Sequence, residues 1–230
     1  MKTISKRLRA EKTKINQSSL YPVTDAITLV KKTASAKFNE SIEAHISLNI
    51  DPKYADQQLR TTVILPHGTG RKLRIAALVS SDKISEAKEA GADIFGSQDL
   101  IDEISKGTLN FDLLISTSDM MPKLAKLGRI LGPKGLMPSP KAGTVTSNLK
   151  STVEEFKKGK LEYRADKTGI VHISFGKSSF SENELEDNLK AFYNSVETNK
   201  PVGVKGKYVK KFTLCSTMGP AIYLDMSSFS

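Results

Sequence analysis

Two sets of side chains in this 230-residue sequence are of the types that do chemistry. The first lies in a cationic run, Leu131-Gly132-Pro133-Lys134-Gly135-Leu136-Met137-Pro138-Ser139-Pro140-Lys141-Ala142-Gly143-Thr144-Val145, with Arg129 just ahead of it. Lys134, Lys141 and Arg129 are positioned to meet phosphates, either of a nucleotide or of a nucleic acid. Three Pro and three Gly within residues 131–143 exclude a helix or a central strand through the run. A loop of this length is functional or disordered, and its repeated Gly and Pro favour a fixed shape. The nucleotide alternative fails on spacing, because neither Gly-x4-Gly-Lys-Ser/Thr nor Gly-x-Gly-x-x-Gly is present. Phosphate cradles also use successive backbone N–H groups, which Pro133, Pro138 and Pro140 lack. The second set is His45, His67, His172 and Cys215. These are far apart, and none pairs with another at a ligand spacing. No metal, no cofactor and no catalytic residue is expected.

Charge narrows the partner. Lys and Arg number 35 against 25 Asp and Glu, a net of +10, which favours an anionic partner. The excess is patterned: residues 1–14, 123–141 and 200–211 each carry +5, and residues 82–104 alone hold −5. Three basic clusters favour nucleic acid over a solvated lysine face. A membrane is not expected, since no apolar run approaches the roughly 18 residues needed to span one. The single Cys215 excludes an intramolecular disulfide. With no secretory signal and no evident presequence, a reducing interior is expected.

The elements that must position these residues change style along the chain. Tyr21-Pro22-Val23-Thr24 reads as a helix entry capped by Thr24, with Val23, Ala26, Ile27, Val30 and Ala34 at helical spacing. Ile42, Ala44, Ile46, Leu48 and Ile50 alternate with polar residues, which predicts an antiparallel strand with one open face. After Leu65–Gly70 come short apolar strands at 73–79, 93–95 and 111–115. Between and after them lie helices near 82–90 (capped by Asp82, stopped by Gly91), 97–107, 119–127 and 149–158. That alternation predicts βαβ units and a doubly wound layer. From 160 the antiparallel style returns. Strands around 161–166 and 171–175 form a predicted hairpin across Asp166-Lys167-Thr168-Gly169. A capping box at Ser181–Glu184 opens a helix with core residues Leu185, Leu189, Phe192 and Val196. Strands 208–215 and 221–226 close the chain.

The simplest architecture is an α+β terminal domain built from both chain ends (1–66 plus 160–230), with an α/β Rossmann-like three-layer domain (67–159) inserted. Two connections then link the domains, and Gly68, Gly70 and Gly159 would relax the backbone there as a hinge.

The 131–145 run closely resembles the signature of a family of large-subunit ribosomal proteins, the lateral-stalk "L-one" family. Ala36-Lys37-Phe38-Asn39-Glu40-Ser41, Leu65-Pro66-His67-Gly68, Asp166-Lys167-Thr168-Gly169, Lys200-Pro201 and Thr217-Met218-Gly219-Pro220 extend the resemblance over nearly the whole chain. It implies a non-enzymatic, ribosome-bound monomer of a bacterium or a plastid; the alternative, a nucleotide-dependent enzyme on the inserted α/β layer, lacks the phosphate motif it would need. Its terminal domain would grip the stalk segment of large-subunit rRNA, and its inserted domain would lean toward tRNA leaving the exit site. Repression of translation through its own mRNA is a further implication. By position, the resemblance assigns rRNA contacts to Lys37, Phe38, Ser41, Asp166, Lys167, Thr168, Gly169, Thr217, Met218 and Gly219. Arg129, Lys134 and Lys141 are candidate tRNA or phosphate contacts, the alternative being that the 131–145 loop mainly orders its own domain. Ser41 stands where many relatives carry Thr, and Ser139 where Asn is common. The contact segments lie at strand or hairpin ends, so they are expected to converge on one edge.

Overall fold

The computed structural model describes residues 5–16 and 19–229; Lys2, part of the first basic cluster, lies outside the described residues. The helices are α1 (Lys6–Thr13), α2 (Val23–Thr33), α3 (Ile84–Glu89), α4 (Gln98–Ser105), α5 (Met121–Ala125), α6 (Gly128–Leu131), α7 (Leu149–Lys158) and α8 (Glu182–Thr198). The strands are β1 (Ser41–Leu48), β2 (Arg60–Ile64), β3 (Ile75–Leu78), β4 (Ile94–Gly96), β5 (Leu113–Ser116), β6 (Lys160–Arg164), β7 (Ile170–Lys177), β8 (Val209–Ser216) and β9 (Ile222–Tyr223). The chain divides into two compact units, Met1–Gly70 with Leu161–Ser230, and Arg71–Lys160.

The first unit is built on an antiparallel sheet in the order β7-β1-β8-β9. Strand β1 buries every second residue. Ile42, Ala44, Ile46 and Leu48 face the core, while Ser41, Glu43, His45 and Ser47 stay half-exposed. Helices α2 and α8 cover the apolar face. Phe175, Phe192, Phe212 and Tyr163 fill the space between, each almost wholly buried, and burying one phenylalanine contributes about 1.5–3 kcal/mol. Helix α8 begins on the reciprocal capping box of Ser181 and Glu184 and buries Leu185, Leu189, Phe192 and Val196. Helix α2 differs from the expectation: Pro22, not Thr24, stands at the N-cap. Proline carries no N–H and a fixed φ, so it suits the helix boundary and leaves Thr24 inside the first turn.

The hairpin expectation is also corrected. Strand β6 pairs with β2 in a separate two-stranded sheet, and β7 pairs with β1. Across the turn between β6 and β7 the backbone pairing consists of the Ala165↔Val171 bridge and the Asp166 N–H to Ile170 O bond (2.8 Å). The Asp-Lys-Thr-Gly turn forms as its chemistry demands, but the strands on its two sides pair with partners distant in sequence. Helix α1, capped by Ser5, is absent from the sequence expectations, which treat the N-terminus only as a basic segment.

In the second unit β4-β3-β5 form a parallel sheet. Alternate residues of β3 point into two separate cores. Ala76 and Leu78 meet Leu100, Ile104, Leu124 and Leu131, whereas Ile75 and Ala77 meet Ala87, Leu149, Val153 and Phe156. Burial on both faces is why β3 is apolar throughout. Asp82 does not cap α3: residues 81–83 form a 3-10 turn, and Lys83 occupies the cap.

Candidate nucleic-acid interface

The loop before β1 and the loop after β8 are joined by one buried carboxylate. Glu40 Oε1 accepts the Ala36 N–H (2.8 Å), while Oε2 accepts the Met218 N–H (2.9 Å) and the Ser216 hydroxyl (2.8 Å). Burial would raise the Glu40 pKa. The two N–H groups, the Ser216 hydroxyl and the Arg7 charge outweigh it and hold the carboxyl below its ordinary value. The Arg7 guanidinium, projecting from α1, donates to Met218 O (3.0 Å) and to Ser35 Oγ (3.1 Å). Thr217 and Ser41 close the strand end. The Thr217 N–H donates to Ser41 O (3.0 Å), the Ser41 N–H to Thr217 Oγ1 (3.0 Å), and Lys177 Nζ to Ser41 Oγ (2.7 Å). Lys37, Phe38, Ser41, Thr217, Met218 and Gly219 therefore form one cluster. Phe38 and Met218 are 55% and 49% exposed, apolar surface left outward by loops that are themselves tightly bonded.

Asp166, Lys167, Thr168 and Gly169 do not join that cluster. They sit beside the other end of β1, where the Leu48 N–H donates to Gly169 O (2.9 Å). At about 3.4 Å per residue the two ends of β1 stand about 24 Å apart. The expected convergence on one edge is replaced by two clusters at opposite ends of one sheet. Asp166 is largely consumed in shaping its own turn. Its Oδ1 accepts the Ile170 N–H (2.8 Å), the Thr168 N–H (2.8 Å) and the Thr168 hydroxyl (2.7 Å). Those bonds, with the Ile170 N–H foremost, bring its pKa down to about 2. Lys167 and Thr168 are left exposed at the tip.

At both glycines a side chain would collide with or crowd the protein's own atoms. A Cβ on Gly219 would stand 2.4 Å from Ser216 Oγ. Gly169, at φ +78°, would bring one to 3.2 Å from Ile50 Cγ1 and Ile50 O.

The half-exposed face between the clusters corrects the histidine expectation. Antiparallel register sets His45 directly opposite His172, and Glu43 opposite Cys215. His45 Nδ1 and His172 Nδ1 are 2.8 Å apart, and His45 Nε2 lies 3.2 Å from Cys215 Sγ. Burial, with the Glu43 charge behind it, pushes the Cys215 thiol up to about 11. Burial and the neighbouring His172 push His45 down. His67 lies elsewhere, 3.1 Å from Asp187. Linear spacing held no sign of this grouping, because strand register is a tertiary fact.

In the second unit the 131–145 segment is ordered from within. The Leu136 N–H donates to Leu131 O (3.0 Å), the Ser139 N–H to Thr144 Oγ1 (2.8 Å), and the Ser116 N–H to Thr144 O (2.9 Å). Leu131, Pro138, Ala142 and Thr144 are buried; Arg129, Lys134 and Lys141 are exposed. Of the hinge glycines, Gly68 (φ +67°) is fixed within the first unit, its carbonyl accepting from the buried Asn188 Nδ2 at 2.9 Å. Gly70 (φ +69°) leaves no room for a Cβ beside Lys177 and Phe180, and Gly159 (φ +112°) caps α7.

The family model for the ribosomal protein L1p/L10e family matches residues 30–220. The chain belongs to that family. It is 59% identical to the large ribosomal subunit protein uL1c of Trieres chinensis over the full length of both chains. It is 61% identical to that of Guillardia theta over the full chain and 97% of the relative. Similarity extends to the uL1 protein of Prochlorococcus marinus (strain MIT 9312), 58% identical over 99% of this chain and 97% of the relative. Members of the L1 family are structural ribosomal proteins, so the chain is not an enzyme, and the nucleotide-enzyme alternative for its α/β layer falls. No helix among the described residues is long and apolar enough to cross a membrane. The residues missed by sequence reasoning are Glu40, Arg7 and Lys177, which hold the first cluster together. Its place as the lone acid of the Ala36–Ser41 motif is the one signal in the sequence that pointed to Glu40.

Proposed function

We propose that this protein is a component of the large ribosomal subunit of a bacterium or a plastid, and that its first unit anchors directly to the stalk segment of large-subunit rRNA. The observation that carries this reading is the pair of prearranged clusters at the two ends of one open sheet face. Folded RNA is recognised by shape, 2′-hydroxyls and backbone. Lys37 and Lys167 neutralise phosphates. Phe38 and Met218 rest on riboses or bases. The hydroxyls of Ser41, Thr168 and Thr217, each already oriented by a protein partner, take 2′-hydroxyls. Two clusters about one strand length apart suit a folded RNA segment better than a single nucleotide.

The second unit presents Arg129, Lys134 and Lys141 to tRNA leaving the exit site. It moves about the two connections that carry Gly68, Gly70 and Gly159. The same rRNA surface would bind the protein's own mRNA and repress its translation, where that messenger imitates the stalk. The protein acts as a monomer within the ribosome, and no step needs a cofactor or a covalent change.

The test is binding of the full chain to the isolated stalk rRNA fragment across a salt series, beside a nonspecific duplex. Thr217→Val should weaken stalk binding about fivefold or more, as for a lost hydrogen bond worth about 1 kcal/mol, while Thr217→Ser retains most of it. Equal, wholly salt-driven binding to both RNAs would refute the anchor site.

A further inference from the structure

The sheet face between the two clusters carries a side-chain group that none of the RNA contacts proposed above uses. We propose that Glu43, His45 and Cys215 form a binding site for a zinc-class divalent cation. Their ligand atoms all lie within 4.8 Å of one another. His45 Nε2 is 3.2 Å from Cys215 Sγ and 3.8 Å from Glu43 Oε2. Ligands around tetrahedral zinc, with bonds of about 2.3 Å to sulfur and about 2.0–2.1 Å to nitrogen or oxygen, stand about 3.3–3.6 Å apart. The three atoms therefore reach coordinating positions through side-chain rotation alone. The strands already fix the backbones, since Glu43 and His45 share one face of β1 and Cys215 is paired directly across from Glu43.

The partners of His45 also suit a ligand. A metal-binding imidazole needs one bare nitrogen, with its other N–H held by a second group that fixes the tautomer. His172 Nε2 lies 3.6 Å from Asp166 Oδ2, and that carboxylate favours the proton on Nε2. In that tautomer His172 Nδ1 is bare and can accept a proton donated by His45 Nδ1 across 2.8 Å. His45 Nε2 is left with its lone pair aimed at Cys215 and Glu43. Thus Asp166, His172 and His45 form a chain that directs one nitrogen lone pair at the cation position.

The donor set selects the ion. A thiolate, an imidazole and a carboxylate suit zinc and its neighbours, whereas magnesium and calcium prefer all-oxygen shells. On loading, the Cys215 S–H bond breaks, a metal–sulfur bond forms and the proton leaves to solvent. Three protein ligands leave a fourth position for water.

Cobalt(II) titration of the full-length, RNA-free protein tests the site. Cys215 is the only cysteine, so a thiolate-to-cobalt charge-transfer band reports on this position alone. The expected result is one cobalt per chain with that band, displaced by zinc. Cys215→Ser should abolish the band, and His45→Gln and Glu43→Gln should each weaken zinc binding at least tenfold. His67→Gln, outside the group, should bind as the parent does. Thermal unfolding of each metal-free variant separates lost binding from lost folding. A parent protein without the band, or a band and zinc affinity unchanged in His45→Gln, would overturn the proposal.

Discussion

Glu40 is the only acid within the Ala36–Ser41 motif, and its burial decides what it does. A carboxylate with no exposure and three donors aimed at it stabilises only while ionised. Replacing it by Gln turns an acceptor into an N–H2 group that faces donors. Hydrogen bonds to charged groups are worth about 1.5–3 kcal/mol, so Glu40→Gln should lower the unfolding free energy by about that much, read by urea denaturation. It should also weaken stalk-RNA binding, because the loops bearing Phe38 and Met218 lose their common tie. Asp166 makes the parallel case at the other cluster. Its folded pKa is depressed from 3.8 to about 2, so its contribution is complete above the unfolded value and is lost as pH falls through the folded one. An acid titration of stability should therefore be steeper for the parent than for Asp166→Asn between about pH 4 and pH 2. Because Asp166 is half-exposed, solvent screening keeps that difference small.

Among elements, local chemistry is legible in the sequence and long-range pairing is not. The Ser181–Glu184 box and the α8 core stripe lie within one helix, so spacing alone specifies them. The alternation of β1 identifies its buried face for the same reason. By contrast, β6 and β7 flank a well-formed turn yet join different sheets, because partner choice depends on surface supplied by β1 and β2. The His45–His172–Cys215 group is hidden likewise, since register between β1, β7 and β8 brings it together. Helix α1 is strongly basic and shows little apolar periodicity; Arg7, reaching Met218 and Ser35, ties it to the first unit. The candidate RNA residues themselves stand in contiguous motifs, but the side chains that gather them are scattered from Arg7 to Lys177. The loop after β8 provides a direct test. Gly219→Ala drives a methyl group into the Ser216 hydroxyl that serves Glu40. Overpacking of this kind costs about 1–3 kcal/mol. The variant should lose that much stability and bind stalk RNA more weakly, whereas Gly107→Ala, with open space around its Cα, should suffer only the strain of its positive φ.

At the scale of the molecule, both units carry a net positive charge, and its placement within each bears on the roles proposed for them. The first holds 20 Lys and Arg against 14 acids, the second 15 against 11, for net charges of +6 and +4. Within the second unit the signs are segregated further. The acid-rich residues 82–104 lead through α3, β4 and α4 at the β4 edge, while basic residues 123–141 follow β5 at the opposite edge. A surface with one basic edge and one acidic edge can attract a nucleic acid in a single orientation, which suits a transient contact rather than an anchor. Anchoring should therefore draw its electrostatics from the first unit. Each lysine on a phosphate contributes about 0.7–0.9 to the slope of log affinity against log salt. The double variant Lys37→Ala, Lys167→Ala should reduce the slope for the stalk rRNA fragment by about 1.5. Lys134→Ala with Lys141→Ala should leave that slope and the affinity at fixed salt nearly unchanged, while weakening any binding of tRNA by the same protein. If the second pair alters the stalk-RNA slope as much as the first, the anchor extends onto the α/β unit. The separation of a fixed grip from a transient one would then be wrong.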